Sequence, residues 1–270
     1  MEITPDVAGW AHSSLRLIEL PPAGEYELET GDSEMLVLPL AGAATVTCDG
    51  ATFDLVGRTG VFEGVTDFAY LPRDSVAALT SQRGGRFALP AARCESRLPV
   101  RYGPAEGVGV ELRGAGPSSR QVNDICMPGG FEAEKLLVCE VLTPSGNWSS
   151  YPPHKHDDQS AGESVLEEIY YFEIAAGPAA AGFGYHRVYG PGIDVLAEVR
   201  HGDVVLVPRG WHGPSIAAPG YDMYYLNVMA GPSPERAWRI SDDPDHAWIR
   251  DAWAGQRIDP RLPMTGGVPT

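Results

Sequence analysis

No long stretch of this chain repeats its apolar residues at the 3.6-residue spacing of an amphipathic helix. It offers short apolar or alternating runs instead, at 35–40, 44–48, 53–56, 68–71 and 76–80. Turn residues cut them apart: Gly31-Asp32, Ala41-Gly42, Asp49-Gly50 and Pro72-Arg73-Asp74. Asp49-Gly50 is a strong hairpin signal, because both central positions of a tight two-residue turn need positive φ. Residues 103–118, rich in Gly, Pro and Ala, read as a crossing or linker. A second series of runs follows at 136–142, 168–174, 182–188, 194–199, 203–207 and 222–228, with a polar loop over 157–166 and a small-residue turn over 175–181. Strands at this spacing, without alternating helices, predict an all-β protein of sandwiches or barrels. The 32 glycines and 24 prolines among 270 residues suit the many turns this requires. The strand–Pro–turn device of Leu71-Pro72-Arg73 recurs in Val207-Pro208-Arg209, which suggests an internal duplication. The expected division is one barrel over 1–115 and a second over 116–270.

Charge and composition remove several function classes. The net charge is -16, from 36 acidic and 20 basic residues, and no Lys/Arg cluster is present. A nucleic-acid partner, which needs clustered cations along a backbone, is therefore not expected. No run reaches the roughly 18 apolar residues of a membrane span. Glu2, Asp6, His12, Arg16 and Glu19 interrupt the start, unlike a secretory leader. The four cysteines, Cys48, Cys94, Cys126 and Cys139, form no CxxC pair and read as reduced, packed thiols. A cytoplasmic enzyme is the expected setting. Exposed sheet edges are compatible with a homo-oligomer. The last thirty residues carry Trp238's successors Trp248 and Trp253 in a polar run, read as a tail packed over the fold.

The chemistry lies in the histidines, of which there are seven. His154-Lys155-His156 is an HxH on an expected strand, so both imidazoles face one side and Lys155 the other. Glu168 opens the run Glu-Ile-Tyr-Tyr-Phe, and His212 closes Gly202-Asp-Val-Val-Leu-Val-Pro-Arg-Gly-Trp-His. Three imidazoles and a carboxylate suit a divalent transition metal: Zn, Mn, Fe or Ni. Glu168 is preferred as the carboxylate because a strand continues from it; Glu167, Glu163 and Asp158 compete. No histidine falls between residues 13 and 153, so the first half cannot host the same site.

This pattern resembles the cupin superfamily, although residues 157–167 form a longer insertion between the second His and the Glu than cupins usually have. The resemblance narrows further. Trp148-Ser-Ser-Tyr-Pro-Pro-His-Lys-His-Asp, Leu166-Glu-Glu-Ile-Tyr-Tyr, Gly182-Phe-Gly-Tyr-His-Arg-Val-Tyr and Pro219-Gly-Tyr-Asp-Met-Tyr-Tyr-Leu-Asn-Val-Met-Ala-Gly-Pro are similar to the 5-deoxy-glucuronate isomerase family of myo-inositol breakdown, as is the closing Asp242-Asp-Pro-Asp-His-Ala-Trp. The likeness covers nearly the whole chain. That family is similar in turn to the 5-keto-4-deoxyuronate isomerases. The resemblance implies a bicupin, a metal on His154, His156, Glu168 and His212, and conversion of 5-deoxy-D-glucuronate, a sugar acid, to 2-deoxy-5-keto-D-gluconate.

Such an aldose–ketose isomerisation moves a hydrogen from C2 to C1, through a base or by a hydride shift. A metal can hold the reacting oxygens, and an arginine suits the far carboxylate. Tyr185, Arg187 and Tyr189 share one face of a strand. If that face is inward, Arg187 is a carboxylate clamp and Tyr185 a hydroxyl partner. Tyr225 and Asn227 share a face of the run at 222–228. Tyr185, Arg187 and Tyr225 are thus the catalytic candidates, and Arg209 and Asn227 the substrate-binding ones. Two rival readings carry the same ligands: an Fe(II) cupin dioxygenase and a non-catalytic sugar-acid-binding cupin.

Overall fold

A computed structural model of the chain describes residues 1–265. It is all-β. Its α-helices, Pro5–Ala8 and Ile249–Ala252, are single turns. No described helix is long and apolar enough to cross a membrane. The chain forms two compact units that are not consecutive in sequence. One comprises 1–109, 125–138 and 228–236; the other comprises 110–124, 139–227 and 237–270. A single boundary at residue 115 therefore does not describe the division. Within the first unit, the buried Glu34 carboxyl group holds the later segment in place. It accepts the backbone N–H groups of Glu134 (2.9 Å), Lys135 (2.6 Å) and Leu136 (2.7 Å), and the Tyr70 hydroxyl (2.6 Å).

The first unit is built on a nine-stranded antiparallel sheet whose main path runs Glu2–Ile3, Ser13–Leu20, Gly85–Arg93, Ser33–Cys48, Phe68–Leu71, Arg101–Gly103. The expected turn at Ala41-Gly42 is instead a bend inside one 16-residue strand, Ser33–Cys48. Gly42 (φ +100) absorbs it, with register shifts on either side that mark a bulge. The strand pairs first with Gly85–Arg93 and Phe68–Leu71, then with Ala51–Arg58 and Val76–Ser81. A methyl group at Gly57 would lie 1.9 Å from the Gly42 carbonyl oxygen, so this crossing admits only glycine there. Asp49 and Gly50 both take positive φ and join the paired Cys48 and Ala51, as a tight hairpin requires. The interior is filled by Val37, Val46, Leu79, Phe87 and their neighbours. Each such side chain contributes about 1.5–3 kcal/mol on burial.

The second unit holds two further sheets. One has the order Gly109–Arg113, Arg120–Cys126, Leu137–Thr143, Met223–Ala230, Glu167–Ile174, Val204–Val207. The segment expected as a linker thus supplies the strand Gly109–Arg113. The other runs Ile193–Val199, Gly184–Gly190, Trp211–Ala217, His154–Lys155, Ser241–Asp242, with Trp148–Ser149 also on Trp211–Ala217. All four cysteines are free and buried.

Candidate metal centre

Strand register brings the histidines together. His154 pairs directly with His212 across antiparallel strands, and their rings stack edge to face at 4.6 Å. The His156 ring lies at the same distance from His212. Glu168 is the first inward residue of its strand, whose partner Val204–Val207 leads into the turn before His212. Ligand atoms of His156, Glu168 and His212 lie within 4.8 Å of one another, all buried. Gly213 (φ +82) lets the chain pass Ser150 closely, since a methyl group there would sit 1.7 Å from the Ser150 carbonyl oxygen.

The hydrogen bonds fix each ring. Nδ1 of His154, His156 and His212 faces the carbonyl oxygens of Pro152 (3.1 Å), Leu166 (3.0 Å) and Gly210 (3.1 Å). A carbonyl only accepts, so Nδ1 carries the proton and Nε2 is left as a lone pair, the form a metal takes. Nε2 of His156 and of His212 lies 2.9 Å and 3.0 Å from the same oxygen, Glu168 Oε2. His212 Nε2 nevertheless has no hydrogen-bond partner. A lone pair buried against a carboxylate is unfavourable unless a cation lies between them. Ligands bonded at about 2.1 Å to one cation can stand about 3 Å apart, so the donor set fits a divalent metal. Asn227 Nδ2 donates to the other oxygen, Glu168 Oε1, at 2.6 Å and aims the carboxylate.

The electrostatics follow from burial. Desolvation raises the Glu168 pKa, but the adjoining His156 and His212 imidazoles outweigh it and hold the carboxylate ionised. Desolvation and the neighbouring His212 lower the pKa of His154. Desolvation likewise lowers His156, but Glu168 more than offsets it and raises the pKa. Burial pushes His186 down to about 3.

A cavity of about 480 Å³ opens beside the cluster, lined by His154, Glu168, Tyr170, Tyr225 and Asn227 among others. That volume lies within the ~300–1,000 Å³ typical of small-molecule sites. Tyr225 and Asn227 share the inward face, as strand parity predicts. Tyr185 and Arg187 share a face too, but it is the outer one. Arg187 is ion-paired to Asp194 (2.9 Å) across the neighbouring strand and lies over Tyr189. The inner positions of that strand go to His186, fully buried with Nδ1 2.7 Å from Ser215 Oγ, and Val188. Arg209 is exposed in its turn and does not line the cavity. These placements remove Tyr185, Arg187 and Arg209 from contact with a substrate in this cavity.

The inserted loop serves itself. Glu163 Oε1 accepts the backbone N–H groups of Asp157 (2.8 Å) and Asp158 (2.9 Å) and the Lys155 ammonium (2.7 Å). Asp157 also binds Lys155 (2.6 Å) and the Gly210 N–H (2.7 Å). Among the described residues the clustered ligand atoms belong to His156, Glu168 and His212, and not to Glu167, Glu163 or Asp158. Sequence reading missed the cavity's far lining: Glu111, Arg113, Arg120, Trp238, Arg250 and Trp253. Alternation of Arg120 with Val122 on one strand was the available signal.

Antiparallel sheets that carry buried imidazoles and a carboxylate, in a chain of two compact β units, give this protein the bicupin fold. The chain belongs to the KduI/IolB family, whose profile matches residues 1–249. It is 41% identical over 257 residues to the 5-deoxy-glucuronate isomerase of Geobacillus kaustophilus, covering 93% of this chain and 91% of that protein. It is 40% identical over 253 residues to the enzyme of the same name from Bacillus subtilis, covering 92% and 91%. The crystal structure of an IolB-like protein from Salmonella typhimurium superposes with a TM-score of 0.87 at 37% identity, covering 92% of this chain and 94% of that one. A Bacillus subtilis oxalate decarboxylase variant shares the fold alone, with a TM-score of 0.62 at 14% identity over 89% and 74%.

Proposed function

We propose that this protein is a 5-deoxy-glucuronate isomerase that uses a divalent metal to convert 5-deoxy-D-glucuronate to 2-deoxy-5-keto-D-gluconate in inositol breakdown. The observation that carries the metal reading is the buried His212 Nε2, which has no well-aligned hydrogen bond among the described residues and is turned on the same Glu168 oxygen as His156. His154, His156, Glu168 and His212 would hold the ion. When bound, it supplies Lewis acidity to a carbonyl oxygen and its neighbouring hydroxyl.

The chain's own residues do the rest. The three carbonyl-anchored imidazoles keep their tautomer and orientation. Asn227 fixes one Glu168 oxygen, which leaves the other for the ion; Asn227 thus acts mainly as a positioning residue. Burial raises the pKa of the Tyr225 phenol, so Tyr225 keeps its proton at neutral pH and donates a hydrogen bond to a sugar oxygen. Trp238, Ile240 and Trp253 wall the cavity and limit water around the reacting carbons. Four buried free thiols suit a reducing compartment, which supports a cytoplasmic setting.

The test is proton NMR of 5-deoxy-D-glucuronate with protein stripped of metal and then reloaded with Zn, Mn, Fe or Ni. Loss of the C2 proton signal and growth of the ketose only in a reloaded form supports the reading. No turnover in any form sinks it.

A further inference from the structure

Three arginines line the cavity beside the histidine cluster: Arg113, Arg120 and Arg250. Two are already matched. Arg113 is paired with Glu111, its Nε and Nη2 both reaching Oε2 at 2.7 and 2.6 Å. Arg250 forks onto Asp242, its Nη2 at 2.6 Å from Oδ1. Arg120 is different. It is 8% exposed, and its one side-chain hydrogen bond among the described residues goes from Nη1 to the Ser118 carbonyl at 3.1 Å. No carboxylate pairs with it among the described residues. Its guanidinium lies 5.7 Å from the Trp253 ring. Gly114 (φ +77) makes room for it, since a methyl group there would come 2.8 Å from Nη1.

A buried, unmatched guanidinium is costly to keep, because desolvation is not offset by a counter-charge. Burial lowers its pKa to about 10, which still leaves it charged at neutral pH. A guanidinium has five N–H donors in a fork that matches a carboxylate. We infer that Arg120 is the specificity residue of this site, receiving the carboxylate of a sugar-acid substrate and completing its own ion pair only when that substrate is bound. The inference rests on the proposed isomerase reading for the identity of the acid, and on the cavity for the place.

The experiment compares metal-loaded wild type, Arg120→Met and Arg120→Lys on two sugars. One is 5-deoxy-D-glucuronate; the other is the same sugar with its carboxylate reduced to a hydroxymethyl group. A charge-assisted fork is worth a factor of about 10–100. Arg120→Met should raise KM for the acid by that factor and leave kcat/KM for the neutral sugar within about twofold. Arg120→Lys keeps the charge without the fork and should fall between. Because an unmatched buried charge is removed, the Met variant should melt at or above the wild-type temperature, whereas loss of a structural residue would lower it. An unchanged KM for the acid, equal losses on both sugars, or a lowered Tm with lost metal would overturn the assignment. If the Met variant does not fold, the Lys variant decides, by whether KM for the acid rises about tenfold. If wild type isomerises neither sugar, the isomerase reading has failed on its own. Calorimetry with D-glucuronate and D-glucose then decides on Arg120: binding of the acid that Arg120→Lys weakens supports it, and no preference for the acid in wild type refutes it.

Discussion

In the first unit the space between strands is closed by Val37, Val46, Leu79, Phe87 and other apolar side chains. In the second, the corresponding kind of space holds His154, His156, Glu168, His212 and a cavity with three arginines. Both interiors contain a buried carboxyl group, and the contrast between the two is instructive. Glu34 in the first unit accepts four donors from its own chain and has nothing left to offer. Glu168 in the second has one oxygen held by Asn227 and the other facing two imidazole nitrogens, an arrangement that a cation would complete. A satisfied carboxyl group stabilises a fold. One aimed at lone pairs is kept for a ligand, at some cost to stability.

That comparison can be broken or sharpened by substitution. The largest effect is expected at His212→Ala: activity should fall at least about 100-fold, beyond what loss of an outer-shell partner costs, and bound metal should disappear while the strands persist. Elemental analysis, circular dichroism and the NMR assay check this, and retained activity would sink the metal assignment. In the first unit Glu34→Ala should leave kcat nearly unchanged and reduce stability by about 3–5 kcal/mol, since several buried donors each lose about 1–3 kcal/mol. Urea denaturation measures it; a large fall in kcat without destabilisation would contradict a purely structural role. Leu79→Ala should cost about 2–5 kcal/mol through transfer and cavity terms, again without a specific catalytic defect.

A smaller effect concerns pH. Hydrogen bonds from the Arg261 side chain, opposed by desolvation and reinforced by the Arg261 backbone N–H and Asn147, hold Asp259 well below the usual carboxylate range. The folded pKa is depressed, so the stability this group contributes is present above its unfolded value of about 3.9 and is lost as pH falls through the folded value. The Tm advantage of wild type over Asp259→Asn should therefore be full near neutral pH and shrink at strongly acid pH. An advantage that grew on acidification would refute the assignment. The smallest effect is Arg187→Ala. Its ion pair with Asp194 is solvent-exposed, so stability should change by under about 1 kcal/mol and turnover by less than twofold. A large loss of turnover would restore Arg187 to the site.

Much of this molecule was legible without coordinates. Period-2 runs and Gly/Pro/Asp turns dictate an all-β chain, and Asp49-Gly50 dictates its hairpin, because these are local consequences of backbone sterics. The HxH, the strand-opening Glu168 and the turn before His212 mark a candidate ligand set because their chemistry is rare in combination. Parity put Tyr225 and Asn227 on one face; of the HxH pair, His156 has its ligand atom within 4.8 Å of those of Glu168 and His212, whereas His154 is outside that group, with its ring 4.6 Å from that of His212. Parity cannot say which side of a strand is inside. The structure turned His186 inward and Arg187 outward, because the inner face of a sheet is chosen by what packs against it. The division of the chain was also beyond local reading. Residues 134–136 join the first unit because Glu34, a hundred residues away, collects their amides. Arg120 shows the same limit. Its sequence neighbours mark an ordinary strand, and only the tertiary structure reveals that Glu111 pairs with Arg113 and Asp242 with Arg250 rather than with it. Whether a charge is matched depends on every partner in reach, and those partners are gathered by the fold rather than by adjacency along the chain.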